Sequence, residues 1–223
     1  LPDIYLENFD RYQYIHSIFQ AETLNIFQYS CPVCTASDRN RLYALFLKKY
    51  LDEHQHKLSF LDIAPDSILR NWLKKNPFLN YRSADKYMEN VDDKLDITNL
   101  SSYENDKFDI ILCSHVLEHI ENDRSAISEL YRVLKPGGIA VVMVPILLSL
   151  EKDYENPEIK TEAERWKHFG QNDHVRMYSK SGFVNKLEQA GFKVNQSDKN
   201  DVGEDVFIKN GIHLRSVLYT AEK

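Results

Sequence analysis

Three aspartates stand in this chain at the ends of short apolar runs, where open parallel sheets present their ligand-binding crevice. Asp62 lies in Phe60-Leu61-Asp62-Ile63-Ala64, Asp85 in Ser83-Ala84-Asp85, and Asp96 just before Ile97-Thr98. Their intervals suit two successive βα units. A carboxylate at the second strand end can accept both ribose hydroxyls of an adenosine. One beside an apolar residue can take the adenine amino group while that residue packs on the ring. Taken singly, each of the three fits a helix or turn cap equally well. A second constellation, His115-x-x-Glu118-His119, matches H-x-x-E-H, which on a helix forms a zinc-peptidase site. It directly follows a strand candidate and precedes a capped helix, a context that opposes the peptidase alternative. Cys31-Pro32-Val33-Cys34 supplies half of a tetrahedral zinc site. Two free thiols or a degraded zinc knuckle is the reading preferred here, with His54 and His56 the residues able to complete a site. Cys113, in an apolar run, reads as a packed core thiol.

The elements that must position these residues begin at Leu58, where short apolar runs alternate with helical or polar stretches. That alternation argues for a parallel sheet covered by helices. The strand candidates are 58–64, 81–84, a short stretch around 95–97, 108–113, 139–144, 192–194 and 216–220. Asp123 is a candidate cap for a helix with the apolar face Ile127, Leu130, Tyr131 and Leu134, stopped by Lys135-Pro136-Gly137-Gly138. Ser181 is placed to open another, carrying Phe183, Val184 and Leu187, with Gly191 at the left-handed position that ends it. Residues 1–57 read as an N-terminal lobe with the Cys-x-x-Cys segment. Ten of the 26 aromatics fall in residues 1–50. Leu42, Leu45, Phe46 and Tyr50 predict an amphipathic helix over 41–51. Residues 58–223 form the main domain, with a polar insertion at about 146–178 of the kind that serves as a lid or binding element.

Composition bounds the partners. Lys+Arg 28 against Asp+Glu 34 gives a net charge of −6, the wrong sign for a chain held on phosphate backbones, and disfavours nucleic acid. The longest apolar run, Ile139 to Leu148, contains Pro145 and falls far short of the roughly 20 residues that cross a bilayer, so no membrane span is expected. Three cysteines make no disulfide framework, and the first twenty residues lack a signal-peptide layout. The expected compartment is a reducing cytoplasm. The chain starts at Leu1 and not at Met, which leaves room for upstream residues.

Over about residues 58 to 222 the chain resembles the class I S-adenosylmethionine-dependent methyltransferases. The residues that carry the resemblance are Leu61-Asp62-Ile63-Ala64, Asp85, Asp96-Ile97, Phe108-Asp109-Ile110-Ile111-Leu112-Cys113, His115-Val116-Leu117-Glu118-His119 and Glu129-Leu130-Tyr131-Arg132-Val133-Leu134-Lys135-Pro136-Gly137-Gly138. The resemblance implies an α/β fold: a Rossmann-like, doubly wound seven-stranded sheet, mostly parallel with a reversed last strand. It also implies Asp62, Ala64 and Pro65 near the methionine moiety of S-adenosyl-L-methionine, Asp85 and Lys86 at the ribose, and Asp96-Ile97 at adenine. Ser114 and His115 border the methyl-donor pocket. The usual glycine-rich loop is replaced by Ala64-Pro65-Asp66-Ser67. That version is similar to a bacterial, methyltransferase type 11-like branch with Cys-Pro-x-Cys upstream and Phe-Gly-Gln-x-Asp-His-x-Arg downstream, here Phe169 to Arg176. Some methyltransferases of vicinal hydroxyls resemble this chain in holding a divalent ion, for which His115, Glu118, His119 and His174 are the implied set. A metal-free, hydrogen-bonded histidine is preferred over it.

Methyl transfer is an in-line displacement from a sulfonium, so the protein must chiefly align the reactants and exclude water. A hydroxyl acceptor also needs a base, and the resemblance points to His119 and His174. Gln171 and Arg176 are expected to orient a carboxylate or phosphate of the substrate, the alternative being a structural network of Asp173, His174 and Arg176. The expected acceptor is a small molecule or a sugar unit of a glycan. A cofactor-binding module without catalysis is the alternative, because the loop after the first strand has lost its glycines.

Overall fold

The computed structural model describes residues 1–223. In chain order its elements are α1 (Asp3–Arg11), α2 (Asp38–Glu53), β1 (Leu58–Ile63), α3 (Ser67–Leu73), β2 (Leu79–Asp85), β3 (Asp93–Lys94), β4 (Phe108–Ser114), α4 (Asp123–Val133), β5 (Leu134–Met143), β6 (Tyr154–Glu155), α5 (Glu162–Phe169), β7 (Arg176–Met177), α6 (Lys180–Gln189), β8 (Lys193–Ser197), α7 (Lys199–Val202), α8 (Glu204–Lys209) and β9 (Leu218–Glu222). Seven strands make one sheet in the order β3-β2-β1-β4-β5-β9-β8. The β1–β5 pairs are parallel, while β9 runs antiparallel to both β5 and β8. This is the expected doubly wound sheet with a reversed last strand.

Several local expectations shift, and Leu134 with Lys135-Pro136-Gly137-Gly138, expected as the end and stop of the helix before them, instead open β5. Pairing of the third strand falls at Asp93–Lys94 and not at 95–97, because the Asp96 carboxylate accepts the Thr98 N–H at 2.9 Å and turns the chain out of the sheet. Helix α4 is capped by Asn122, whose Oδ1 accepts the Ser125 N–H at 3.1 Å. Asp123 points inward instead, to the Tyr178 hydroxyl at 2.7 Å and the Lys186 ammonium at 2.6 Å. Helix α6 begins two residues early, with the Ser179 hydroxyl accepting the Gly182 N–H, and ends before Gly191 at φ +107° as expected.

Helix α2 runs longer than predicted and is rotated by about one residue. Leu42, Tyr43, Leu47 and Leu51 are buried, while Leu45, Phe46 and Tyr50 flank them half-buried. These four side chains belong to the 42-residue core that also contains β1, β4 and β5, each contributing roughly 1.5–3 kcal/mol of burial. The helix therefore packs with the sheet. The rest of the N-terminal segment packs on the insertion: Tyr5 meets Trp166 of α5 edge-on at 6.0 Å, and Tyr12 stacks on it at 6.0 Å. Main-chain bonds from Glu22 to Ile146 and from Leu148 to Gln20 pin the two segments together. Beneath them lies a separate small core of Leu147, Ile159, Phe169 and Met177. No helix is long and apolar enough to cross a membrane.

Candidate active site

The carboxyl ends of β1 and β4 are neighbours in the sheet, with Ile63 opposite Cys113. Each strand is followed by a non-glycine residue in the left-handed region, Ala64 at φ +51° and His115 at φ +56°. Such backbone strain persists where surrounding structure over-determines it, and it concentrates at functional sites. At Ala64 the chain keeps the turn a glycine would make, at a cost of about 1–2 kcal/mol. Beside this edge opens a cleft of ≈ 660 Å³ that brings together Ala64, Asp85, Lys86, Asp96, Ile97, His115 and His119. Asp62 and Ser114 do not reach it. They line a smaller cavity of ≈ 130 Å³ with Ala64 and His115, and Pro65 is buried behind them.

The three aspartates play different parts. Asp62 is 2% exposed and accepts the Tyr81 hydroxyl at 2.6 Å, and burial pushes its carboxyl up to about 7. Asp85 uses Oδ1 for the N–H groups of Tyr87 and Met88, both at 2.6 Å, and no protein donor reaches Oδ2. Asp96 is fully engaged, by Lys86 at 2.9 Å and by Thr98, and the Lys86 ammonium holds its carboxyl down at about 2. The capping alternative thus describes Asp96 and one oxygen of Asp85.

On the other side of His115 and His119 lies a chamber of ≈ 320 Å³ formed by the N-terminal segment and the insertion. Tyr5, Phe9, Tyr14, Tyr29 and Phe169 supply its aromatic walls, with Arg39, Glu118, Gln171 and His174 among its polar groups. The tyrosines, Phe9 and Arg39 went unassigned in the sequence. Their signal is the aromatic density before residue 50, but without periodicity it does not say which rings face a common space.

The histidine cluster sits between the two cavities. Glu118 is 0% exposed, and neither of its oxygens receives a hydrogen bond. His115 Nδ1 lies 3.0 Å from Oε1, at ion-pair distance though off the line of a hydrogen bond. Burial would raise the Glu118 carboxyl, but His115, His174 and His119 around it bring it below its usual range. Burial depresses His115 and takes His174 down to about 4. His119 Nδ1 is 3.1 Å from the Asp173 carboxylate, and its ring meets that of His174 edge-on at 4.7 Å. Donor atoms of Glu118, His119 and His174 all lie within 4.8 Å of one another. His115 stands outside that group. The peptidase alternative fails on geometry, since Leu117–His119 is one 3₁₀ turn and His115 precedes it in the left-handed region, so the two histidines share no α-helical face.

Gln171 lines the chamber, where its Oε1 accepts the Tyr5 hydroxyl at 3.5 Å and its Nε2 donates to Asp173 at 3.0 Å. Arg176 is a correction. It is 3% exposed, and its guanidinium donates to Glu155 at 2.9 Å, to the carbonyls of Leu117 at 3.0 Å and Glu121 at 2.8 Å, and to that of Ile120. Both Nη arms hold the turn that carries His119 and Nε is taken by Glu155, leaving no arm for substrate. At the far surface Cys31 and Cys34 are free thiols on a turn closed by the Cys31 N–H to the Ala36 carbonyl. His54 stacks on Tyr50 at the opposite end of α2, roughly 24 Å along a sixteen-residue helix, and does not complete their site.

Residues 36–197 match the family described as a methyltransferase domain. A ubiquinone biosynthesis O-methyltransferase of Rickettsia typhi is 36% identical over 66 residues, a match that spans 28% of this chain and 27% of that protein. Among solved structures, a SAM-dependent methyltransferase from Archaeoglobus fulgidus superposes with a TM-score of 0.52 at 18% identity, covering 84% of this chain and 95% of that one. The 1,6-didemethyltoxoflavin-N1-methyltransferase of Burkholderia thailandensis, solved with 1,6-didemethyltoxoflavin and S-adenosylhomocysteine bound, gives 0.53 at 14% identity, covering 83% and 79%. These likenesses carry the fold.

Proposed function

Because the chain belongs to the methyltransferase-domain family, we propose that it moves the methyl group of S-adenosylmethionine onto a hydroxyl oxygen of a small molecule or sugar unit seated in the aromatic chamber. The observation that carries this reading is the meeting of two cavities at His115 and His119, one lined by charged groups and one by rings. In the cleft, the free Oδ2 of Asp85 takes the ribose hydroxyls, Lys86 flanks it, and Ile97 and Asp96 border adenine. Asp62, Ala64, Pro65, Ser114 and His115 surround the methionine end. The name of the Rickettsia relative supports oxygen as the acceptor atom.

In the transfer the hydroxyl oxygen forms a bond to the methyl carbon as the carbon–sulfur bond breaks. The sulfonium becomes a neutral thioether, and the hydroxyl proton goes to a base. His119 is that base, its ring oriented by Asp173 and its other face open to both cavities. His174 is neutral near pH 7 because burial depresses it, and a site with so low a basicity suits a hydrogen-bonding or ligand role better than proton removal. Gln171 positions the acceptor from the chamber wall.

A second reading of the same cluster rests on Glu118, whose buried carboxylate oxygens have no donor. Glu118, His119 and His174 offer a carboxylate and two imidazoles, a set that fits a divalent cation. A bound ion there would polarise the acceptor hydroxyl.

The test is methyl incorporation by mass spectrometry over a panel of hydroxylated and amino acceptors, with and without a chelator. Methylation of amines alone defeats the oxygen assignment. Activity that a chelator abolishes and Mg²⁺ or Zn²⁺ restores favours the ion, and activity indifferent to chelation favours His119 acting alone.

A further inference from the structure

Two arginines on the first turn of α2 differ sharply. Arg41 is saturated: its Nε, Nη1 and Nη2 donate to the carbonyls of Asn210, Tyr29, Ala36, Gln28 and Gly211. Arg39 makes one side-chain bond, Nη2 to the Tyr29 hydroxyl at 3.2 Å. The adjacent Asp38 carboxylate forms no ion pair with it, being occupied by the backbone N–H groups of Asn25 and of Arg39 itself. Arg39 lines both the aromatic chamber and the small cavity at Asp62. The Asp38 and Glu118 carboxylates act on this cation through space, but neither is within ion-pair distance, and guanidinium N–H groups left without an acceptor in a partly enclosed, aromatic-walled space are unfavourable unless a complement fills it. A planar guanidinium with two free arms is complementary to a carboxylate, which it grips through parallel hydrogen bonds.

We infer that Arg39 is the carboxylate receptor of this site, gripping a carboxylate of whichever molecule fills the adjoining cavity. What fills it rests on the methyltransferase reading, which supplies two sources: the methionine end of the cofactor, through the small cavity, or a carboxylate on the acceptor, through the chamber. In the first case Arg39 fixes the sulfonium for transfer. In the second it makes the enzyme selective for acidic acceptors.

Calorimetry on wild type, Arg39→Met and Arg39→Lys decides it with three probes. They are S-adenosylhomocysteine, 5′-methylthioadenosine, which lacks the amino acid, and benzoate added to free and to S-adenosylhomocysteine-saturated protein. Arg39→Met is expected to weaken at least one carboxylate probe about tenfold or more with 5′-methylthioadenosine unchanged, and Arg39→Lys to recover part of the loss. Loss on S-adenosylhomocysteine assigns the methionine carboxylate, and loss confined to benzoate assigns the acceptor. Wild-type affinities for both carboxylates in Arg39→Met overturn the inference. So does an equal loss on 5′-methylthioadenosine, which reduces Arg39 to holding up the site. Should wild type bind neither nucleoside, the methyltransferase reading falls, while benzoate on free protein still decides Arg39.

Discussion

Asp85 and Lys86 stand at the end of β2 and Asp96 just past the end of β3, and they reach the cleft because a parallel sheet brings its strand ends to one edge. Tyr5 and Gln171 meet across the chamber although 166 residues separate them, and His16 bonds the His168 carbonyl across 152. The cleft is lined by the charged groups of Asp85, Lys86 and Asp96, and the chamber is ringed and holds a 0%-exposed glutamate. The position of the one is set by the sheet, whose parallel strands end at that edge. The other is assembled from two segments that the sheet does not require, so under the proposed function it is the region to which selectivity for the acceptor is assigned.

That division can be broken most forcefully at His119. His119→Ala should lower turnover about 10²- to 10⁴-fold while the affinity for S-adenosylhomocysteine stays within about twofold, because the ring acts on the proton in transit. A comparable loss of cofactor affinity in calorimetry would merge the two regions into one. A second handle is the buried acid on the cofactor side. Burial raises Asp62 from 3.8 to about 7, so the folded state binds a proton that the unfolded state releases. Its stabilising effect is complete below about pH 4 and is lost as pH rises towards 7. Relative to Asp62→Asn, wild-type unfolding free energy should fall by roughly 3 to 4 kcal/mol between pH 4 and pH 7.5, read from denaturant titrations. A flat difference would mean that Asp62 is solvated.

Asp85→Ala sharpens the contrast from the opposite side. Loss of a charged acceptor for the ribose should cost about 1.5 to 3 kcal/mol of cofactor affinity and leave turnover at saturating cofactor nearly intact. Equal damage to both would place Asp85 in the transition state. The smallest effect is expected at the strained turn. Ala64→Gly relieves a left-handed alanine but frees the unfolded chain, for a net change below about 1 kcal/mol in stability. A loss of several kcal/mol would show that the Ala64 methyl packs against something the strain argument neglects.

The same contrast explains what the sequence could disclose. The strand candidates and the placement of Asp85 and Asp96 follow from apolar runs and the residues that end them, features within reach of a short window, while the reversed last strand is implied by the family resemblance alone. The caps at Asn122 and Ser179 were missed because Asp123 and Ser181 are equally good capping types. What separates them is Tyr178 and Lys186, which draw Asp123 inward from 55 and 63 residues away. Arg176 was misread for a similar reason. A guanidinium near a histidine looks like a substrate clamp until the carbonyls of Leu117, Ile120 and Glu121 are seen to take its arms. The ring of tyrosines escaped because no periodicity governs a segment that packs on another irregular segment.

The pinning of the N-terminal segment onto the insertion also sets the order in which the molecule can come apart. Contacts such as Ile15 to Lys167 and Glu22 to Ile146 close loops of well over a hundred residues, and little apolar core lies behind them beyond the four residues under the insertion. Closing such loops is entropically costly, and regions of that kind open at free energies far below global unfolding. Amide exchange should accordingly divide the protein into a slow sheet and a fast roof. Under the proposed function, partial unroofing is then the route by which an acceptor would enter and leave the chamber, while β1, β4 and β5 hold the strand-end edge in place throughout.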